Sequence, residues 1–335
     1  MVRLLIHGVY IADVDGSIRG PGFIYIRDGA IQAVGEGEPP EELSLAELVL
    51  GGDNRLAMPG FASPPVLAEL YGFRFLSDER ISYASIAAGG GCLLSLLSDI
   101  DEEEAYYSAL MWLYEAALNG VSRPVIVTAN PRAAARASEA AEMSSVILVP
   151  LGCRGVSVDK PIDALDSIPS SARLRRGVLV CEGEPPSSAD LDVVVRLSNG
   201  KLLAGNTAVD VSTLTPEPWV SPWSLIALGG EAVYKVLVSD MHRLVDSGYE
   251  AFQGQAHVQV VDLTEPPGWA PQPAAAKPWR LGSSRPRIET LLSGGRLVVD
   301  NGEHLALGVD AAGKAARVLA EAYDRLGSCR REGGG

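Results

Sequence analysis

The chain has 335 residues, 47% of them hydrophobic and 21% charged, a balance that excludes large-scale disorder and allows one large domain or two ordinary ones. A formal net charge of −14 excludes a nucleic-acid groove, because phosphate contacts need clustered Lys and Arg. No apolar run approaches the roughly 20 residues that span a bilayer, so no membrane segment is expected. Met1 to Tyr10 lacks a signal-peptide layout. The four cysteines, Cys92, Cys153, Cys181 and Cys329, have no metal spacing and predict reduced thiols in a cytosol. A cytoplasmic protein is the expectation.

Strands are predicted at Leu4 to Ile11, Phe23 to Arg27 and Ile31 to Val34, with a tight turn at Asp28-Gly29. From Leu56 the texture changes to short apolar runs alternating with helices. Ala57 to Ser63 and Cys92 to Leu97 read as the first two strands, separated by a helix from Ser77-Asp78 to Ala88 that stops at Gly89-Gly90-Gly91. Asp101 to Leu118 is the clearest helix, with an acidic start and a glycine exit. Val125 to Thr128 follows, then a helix from Arg132 to Glu142 opened by Asn130-Pro131.

Val146 to Val149, Val178 to Cys181, Val193 to Leu197 and Val233 to Val238 continue as strands, the last leading into a helix at Met241 to Ser247. After Gly254 the early texture returns. His257 to Leu263 is a strand, Pro266 to Arg280 a loop, and Ile288 to Leu292 with Leu297 to Val299 a hairpin. Asp310 to Leu326 is an amphipathic helix, and Gly333 to Gly335 should fray. Continuous strands alternating with helices imply a covered parallel sheet. The fold class is therefore α/β, a (β/α)8 TIM-type barrel over 58–254. A small composite β-sandwich comes from 1–57 and 255–310, and 311–330 is a C-terminal helix. The middle is close to the roughly 200-residue lower bound for such a barrel.

Four stretches resemble the amidohydrolase superfamily, in particular its dihydroorotase and dihydropyrimidinase branch. They are Gly20 to Gly35 (GPGFIYIRDGAIQAVG), Met58-Pro59-Gly60-Phe61, Tyr83 to Ser95 (YASIAAGGGCLLS), and Val258 to Glu303 with its tail IETLLSGGRLVVDNGE. The resemblance implies a metal-dependent barrel that hydrolyses cyclic amides, with a binuclear site held by an H-x-H pair, a carboxylated lysine, two further histidines and an aspartate. Acidifying a bound water takes at least three converging protein ligands.

Those ligands are missing. In the family pattern the first-strand aspartate falls on Ser63 and the H-x-H pair on Pro65 and Leu67. No lysine lies in Val146 to Gly152, and Lys160 follows in a loop. LVCEGE puts Val180 at the next histidine and retains Glu182, while Ser198-Asn199-Gly200 stands at the one after. KVLVSDMHRL matches Asp240 to the family's metal-binding, proton-shuttling aspartate, either an inherited pocket acid or a cap on the next helix. The other histidines, His7, His257 and His304, lie in the terminal β regions, where structural or surface roles are expected.

The candidate site is thus Asp240 as a vestigial acid, with a pocket of Ser63, Cys181, Glu182, Ser198, Asn199 and His242. No metal or other cofactor is expected. Zinc would need a ligand set foreign to the family, improvised from Cys181, Glu182, Asp240 and His242. Gly89-Gly90-Gly91 lacks the following lysine of a phosphate loop, and no G-x-S-x-G elbow is present.

The resemblance therefore points to a non-catalytic homologue acting as a scaffold or regulatory partner. Related inactive dihydroorotase-like chains serve aspartate carbamoyltransferase in this way, which would place the chain in pyrimidine biosynthesis. Two alternatives stand beside it: a cyclic-amide hydrolase with a remodelled site, and a small-molecule sensor using the emptied pocket. Self-association into a homo-oligomer stays open.

Overall fold

Alternating apolar residues start the chain as an antiparallel meander of β1 (Arg3–Ala12), β2 (Ile18–Arg27) and β3 (Ala30–Glu36). Asp28 and Gly29 make the β2–β3 turn with φ of +52° and +80°, the positive values a tight hairpin requires. The short helix α1 (Glu41–Ser44) leads to β4 (Leu48–Gly51) and β5 (Arg55–Pro59), both parallel to β1. The computed structural model describes residues 2–187, 190–270 and 277–326. The tail Gly333 to Gly335, the last residues of the 311–330 helix, Cys329 and the middle of the Pro266 to Arg280 loop lie outside them.

Beyond Gly60 come β6 (Phe61–Ala62), α2 (Tyr83–Ala88), α3 (Cys92–Ser95) and α4 (Glu102–Leu118). At α4 the Asp101 carboxylate accepts from the Glu103 and Glu104 amides at 2.9 Å, and Glu104 accepts from the Asp101 amide at 3.0 Å. This capping box fixes where the helix begins. Then follow β7 (Val121–Arg123), β8 (Val125–Val127), α5 (Pro131–Ala140), β9 (Ser145–Leu151), α6 (Pro161–Asp166), β10 (Leu174–Val180) and β11 (Val193–Ser198). β6 pairs parallel with β7, and β8, β9, β10 and β11 pair parallel in sequence. Pro124, which has no amide hydrogen, separates β7 from β8.

The described residues do not close the expected ring of eight strands. After β11 the chain reverses through β12 (Lys201–Ala204) and β13 (Thr207–Asp210), both antiparallel. It then becomes helical: α7 (Pro222–Lys235), kinked at Gly230 where the backbone is non-helical (φ +60°, ψ −139°), a π turn at Val236–Asp240 and α8 (Met241–Val245). The expected strand Val233 to Val238 is therefore helix. Its β-branched residues mimic a strand core, but Val233, Tyr234, Leu237, Val238 and Met241 are buried while Glu231, Lys235 and Arg243 are exposed, a spacing of three to four rather than two. The π turn packs against β6 and β13, and α8 against β11 and β12. The helical segment from Val236 to Val245 thus contacts both the β6–β7 pair and the six-stranded sheet.

The expected strand Cys92 to Leu97 is also helical, as α3 and a 3-10 turn. Leu93, Leu94, Leu96, Leu97 and Ile100 are buried while Ser95, Ser98 and Asp99 face out, a period of three to four rather than two. Ser95 and Ser98 hydroxyls donate back to the carbonyls of Cys92 and Ser95. The preceding helix is shorter than expected, because Ser82, not Ser77-Asp78, provides its cap through a box with Ser85.

The chain returns through β14 (Gly254–Gln255), β15 (Val258–Asp262), β16 (Ile288–Ser293), β17 (Arg296–Asp300) and β18 (Glu303–His304), and ends in α9 (Val309–Leu326). β15 pairs antiparallel with β5, so both ends of the chain build one ten-stranded sheet. Its inner face gathers Leu4, Ile6, Ile24, Ile26, Val258 and Val260 into a core of its own. The opposite residues of β5 and β15, Leu56, Met58 and Val261, join the main core with the parallel strands and their helices.

Candidate functional site

The carboxyl ends of the parallel strands are where an α/β fold of this kind places its chemistry. Ser63 follows β6, is almost fully buried, and its Oγ accepts from the Val125 amide at 2.8 Å. The Pro65 carbonyl accepts from the Tyr83 hydroxyl at 2.9 Å, and Leu67 is buried. Cys181, one residue beyond β10, is bonded to Cys153, two residues beyond β9, with Cα atoms 5.0 Å apart. Cys153 and Cys181 are therefore not the reduced thiols expected, and among the described residues no cysteine is free. Glu182 points outward to Arg154 at 3.4 Å, with both side chains about two-thirds exposed.

Ser198 and Asn199 are exposed at the β11–β12 hairpin, where Asn199 and Gly200 have φ of +49° and +71°. The pair is a turn rather than a pocket wall. Asp240 ends the π turn and makes no cap hydrogen bond to α8. Its carboxyl is raised above the usual range by burial, against the opposing charge of Arg243. Lys160 is exposed beside Asp163. The pocket residues do not converge.

A buried acid does stand at these ends. Glu69, in the 3-10 turn Ala68–Phe73, accepts at 3.0 Å from the Thr128 hydroxyl, the Ala129 amide and the Asn130 side-chain amide. Burial raises its carboxyl, opposed by those hydrogen bonds. It fastens the loop after β8 to the loop after β6, with its described donors all neutral.

His242 lies at the opposite end of the sheet, fully buried. Its Nε2 lies 2.8 Å from the Gly60 carbonyl oxygen and donates to it, and its ring stacks on Tyr249 with centroids 4.0 Å apart. His257 is its neighbour at 5.4 Å. Arg123, at the amino side of β8, is 4% exposed; its Nη1 donates to Ser144 at 3.2 Å and its Nη2 is 3.8 Å from Asp246. Burial pulls the Arg123 pKa down to about 10, against the pull of Asp246, and pulls that of His242 down to about 3. His257 is likewise held neutral by burial. Sequence reasoning missed this cluster, although an arginine inside the apolar run VSRPVIV was a visible signal. His7 pairs with Glu38 at the surface, and His304 accepts from the Ala306 and Leu307 amides.

No protein-family model matches the chain, and no curated protein matches it in sequence. Solved structures do. A triazine hydrolase variant superposes with a TM-score of 0.67 at 12% identity, covering 95% of this chain and 100% of that one. Atrazine chlorohydrolase from Arthrobacter aurescens TC1, complexed with zinc, gives 0.67 at 13% over 94% and 100%. An adenosine deaminase from Xanthomonas campestris with bound zinc gives 0.67 at 10% over 97% and 98%. The fold is that of the amidohydrolases.

An amidohydrolase-fold chain invites a test of whether zinc fits. Zinc needs three or four converging nitrogen, sulfur or carboxylate donors. Among the described residues no group of three or more His, Cys, Asp or Glu could hold a metal ion. Cys181 is in a disulfide, Glu182 faces solvent, and His242 lies at the other end of the sheet from both. The residues present do not fit the metal.

Proposed function

We propose that this chain is a non-catalytic, dihydroorotase-like homologue of the amidohydrolases that works as a scaffold or regulatory subunit. One observation carries the reading. At the carboxyl ends of the parallel strands stand a disulfide, a hairpin turn and side chains engaged in packing, where a metal-dependent hydrolase needs converging donors and an open coordination position. The Cys153–Cys181 bond removes Cys181 from any such ligand set. Helix in place of the expected strand Val233 to Val238 further supports it.

Elemental analysis of protein purified without a chelator or metal-affinity tag, alongside hydrolysis assays on dihydroorotate and other cyclic amides, tests the loss of catalysis. Zinc well below one per chain and no turnover above buffer are expected; stoichiometric zinc with turnover overturns the reading. The scaffold role is tested by purifying the chain from its native cell. A stable complex is expected, with aspartate carbamoyltransferase the first partner to look for. An isolated monomer counts against it.

A further inference from the structure

At the amino ends of the parallel strands, away from the disulfide, a cleft of about 450 Å3 is lined by Arg123, Asp246, Tyr249, Gln253, Gln255 and His257, with Glu250 beside them. Its inner wall is polar and incompletely paired. Arg123 Nε, the Tyr249 hydroxyl and His257 Nε2 are buried with no hydrogen-bond partner, as is His242 Nδ1 just behind. Native interiors leave very few such groups unpaired. Four of them gather behind the wall of one cleft, where a bound molecule that draws the Arg123 or Tyr249 side chain toward it would complete their pairing.

The charges narrow the chemistry. Arg123 is nine-tenths buried and holds its Nη2 beside the Asp246 carboxylate at 3.8 Å, beyond hydrogen-bond reach, with Arg175 Nη1 3.8 Å from the same carboxylate. A plain anion would meet the guanidinium but also the carboxylates of Asp246 and Glu250. A molecule with a carboxylate and an ammonium group on one carbon meets both signs together. The guanidinium fork suits a carboxylate, Asp246 suits the ammonium group, and Tyr249 has a hydroxyl free to donate. The Gln253 and Gln255 side chains suit a polar remainder.

We infer that this cleft binds a small polar α-amino acid, with Arg123 and Asp246 holding its two charged ends. The inference is independent of the strand-end chemistry and survives if that reading fails.

Isothermal titration calorimetry on the full chain at pH 7.5 tests it with L-glutamine, L-glutamate, L-aspartate, succinate and inorganic phosphate as probes. At least one amino acid should bind saturably with a Kd below about 1 mM, and succinate and phosphate at least about tenfold more weakly, since neither offers Asp246 a donor. Tyr249→Phe should weaken that binding about five- to tenfold. It should leave the ligand-free Tm unchanged or higher, because the ring still stacks on His242 while an unpaired hydroxyl is gone. Arg123→Gln should abolish binding; if it does not fold, Tyr249→Phe decides. Absence of saturable amino-acid binding overturns the inference. So does phosphate or succinate binding as tightly, or an unchanged affinity in Tyr249→Phe.

Discussion

Replacing Cys153 and Cys181 together by alanine removes the cross-link between the ends of β9 and β10. The bond joins residues 28 apart, and the chain-entropy relation for a loop of that length gives about 3.5 kcal/mol of stabilisation through the unfolded state. Unfolding entropy of about 2.1 cal/mol/K per residue, over the 335 residues, makes that loss a fall in Tm of about 5 °C. The missing Cys153 sulfur, buried at 4% exposure, adds roughly a further degree through lost packing. Scanning calorimetry of the parent and double variant measures the shift, with intact mass confirming the parent's bond. Alkylation of the denatured, unreduced protein should leave Cys153 and Cys181 unlabelled. Labelling at both, or a Tm difference below about 2 °C, would refute the reasoning.

Three further outcomes are expected. Because burial pulls His242 down to about 3, the unfolded chain takes up its proton first, near pH 6.5. The stability tied to its neutral ring is therefore complete above that pH and falls below it, by about 2 kcal/mol between pH 6.5 and 5; NMR titration of its ring at any pH above about 5.5 would contradict this. Gly200→Ala should lower stability by about 1 kcal/mol in urea unfolding, since φ is +71° with no neighbour near the added Cβ; a neutral result would remove the turn assignment. Glu69→Gln should cost about 2–3 kcal/mol, because an amide group would turn its own N–H toward the donors of Thr128, Ala129 or Asn130. A Tm within 1 °C of the parent would show that the carboxylate is not what holds the loop.

The strand-end vacancies were legible in the sequence because they depend on residue type alone: Pro65 and Leu67 carry no donor for a metal wherever they lie. The cluster at the other end was not. Arg123, His242, Asp246, Tyr249 and His257 are brought together by the pairing of β6 with β7 and by α8 passing under Gly60. Nothing in local periodicity encodes that meeting. The disulfide was hidden for a similar reason, since Cys153 and Cys181 are neighbours only because β9 and β10 pair in the register that sets Leu151 opposite Val180.

By itself the sequence determined the elements whose signals are local. The Asp28-Gly29 hairpin, the capped helix after Asp101 and the apolar runs of β9, β10 and β11 depend on backbone preference and short-range burial. Tertiary structure decided what those elements close into. Val233 to Val238 has the composition of a buried strand, yet it is a helix whose buried face packs against β6 and the β11–β13 region at once. A helix makes its backbone hydrogen bonds internally and can cross between two sheet edges, whereas a strand needs a paired neighbour along its length. Among the described residues six strands, β6 to β11, pair in parallel, and the chain from Val233 to Val245 is helical instead of adding to them.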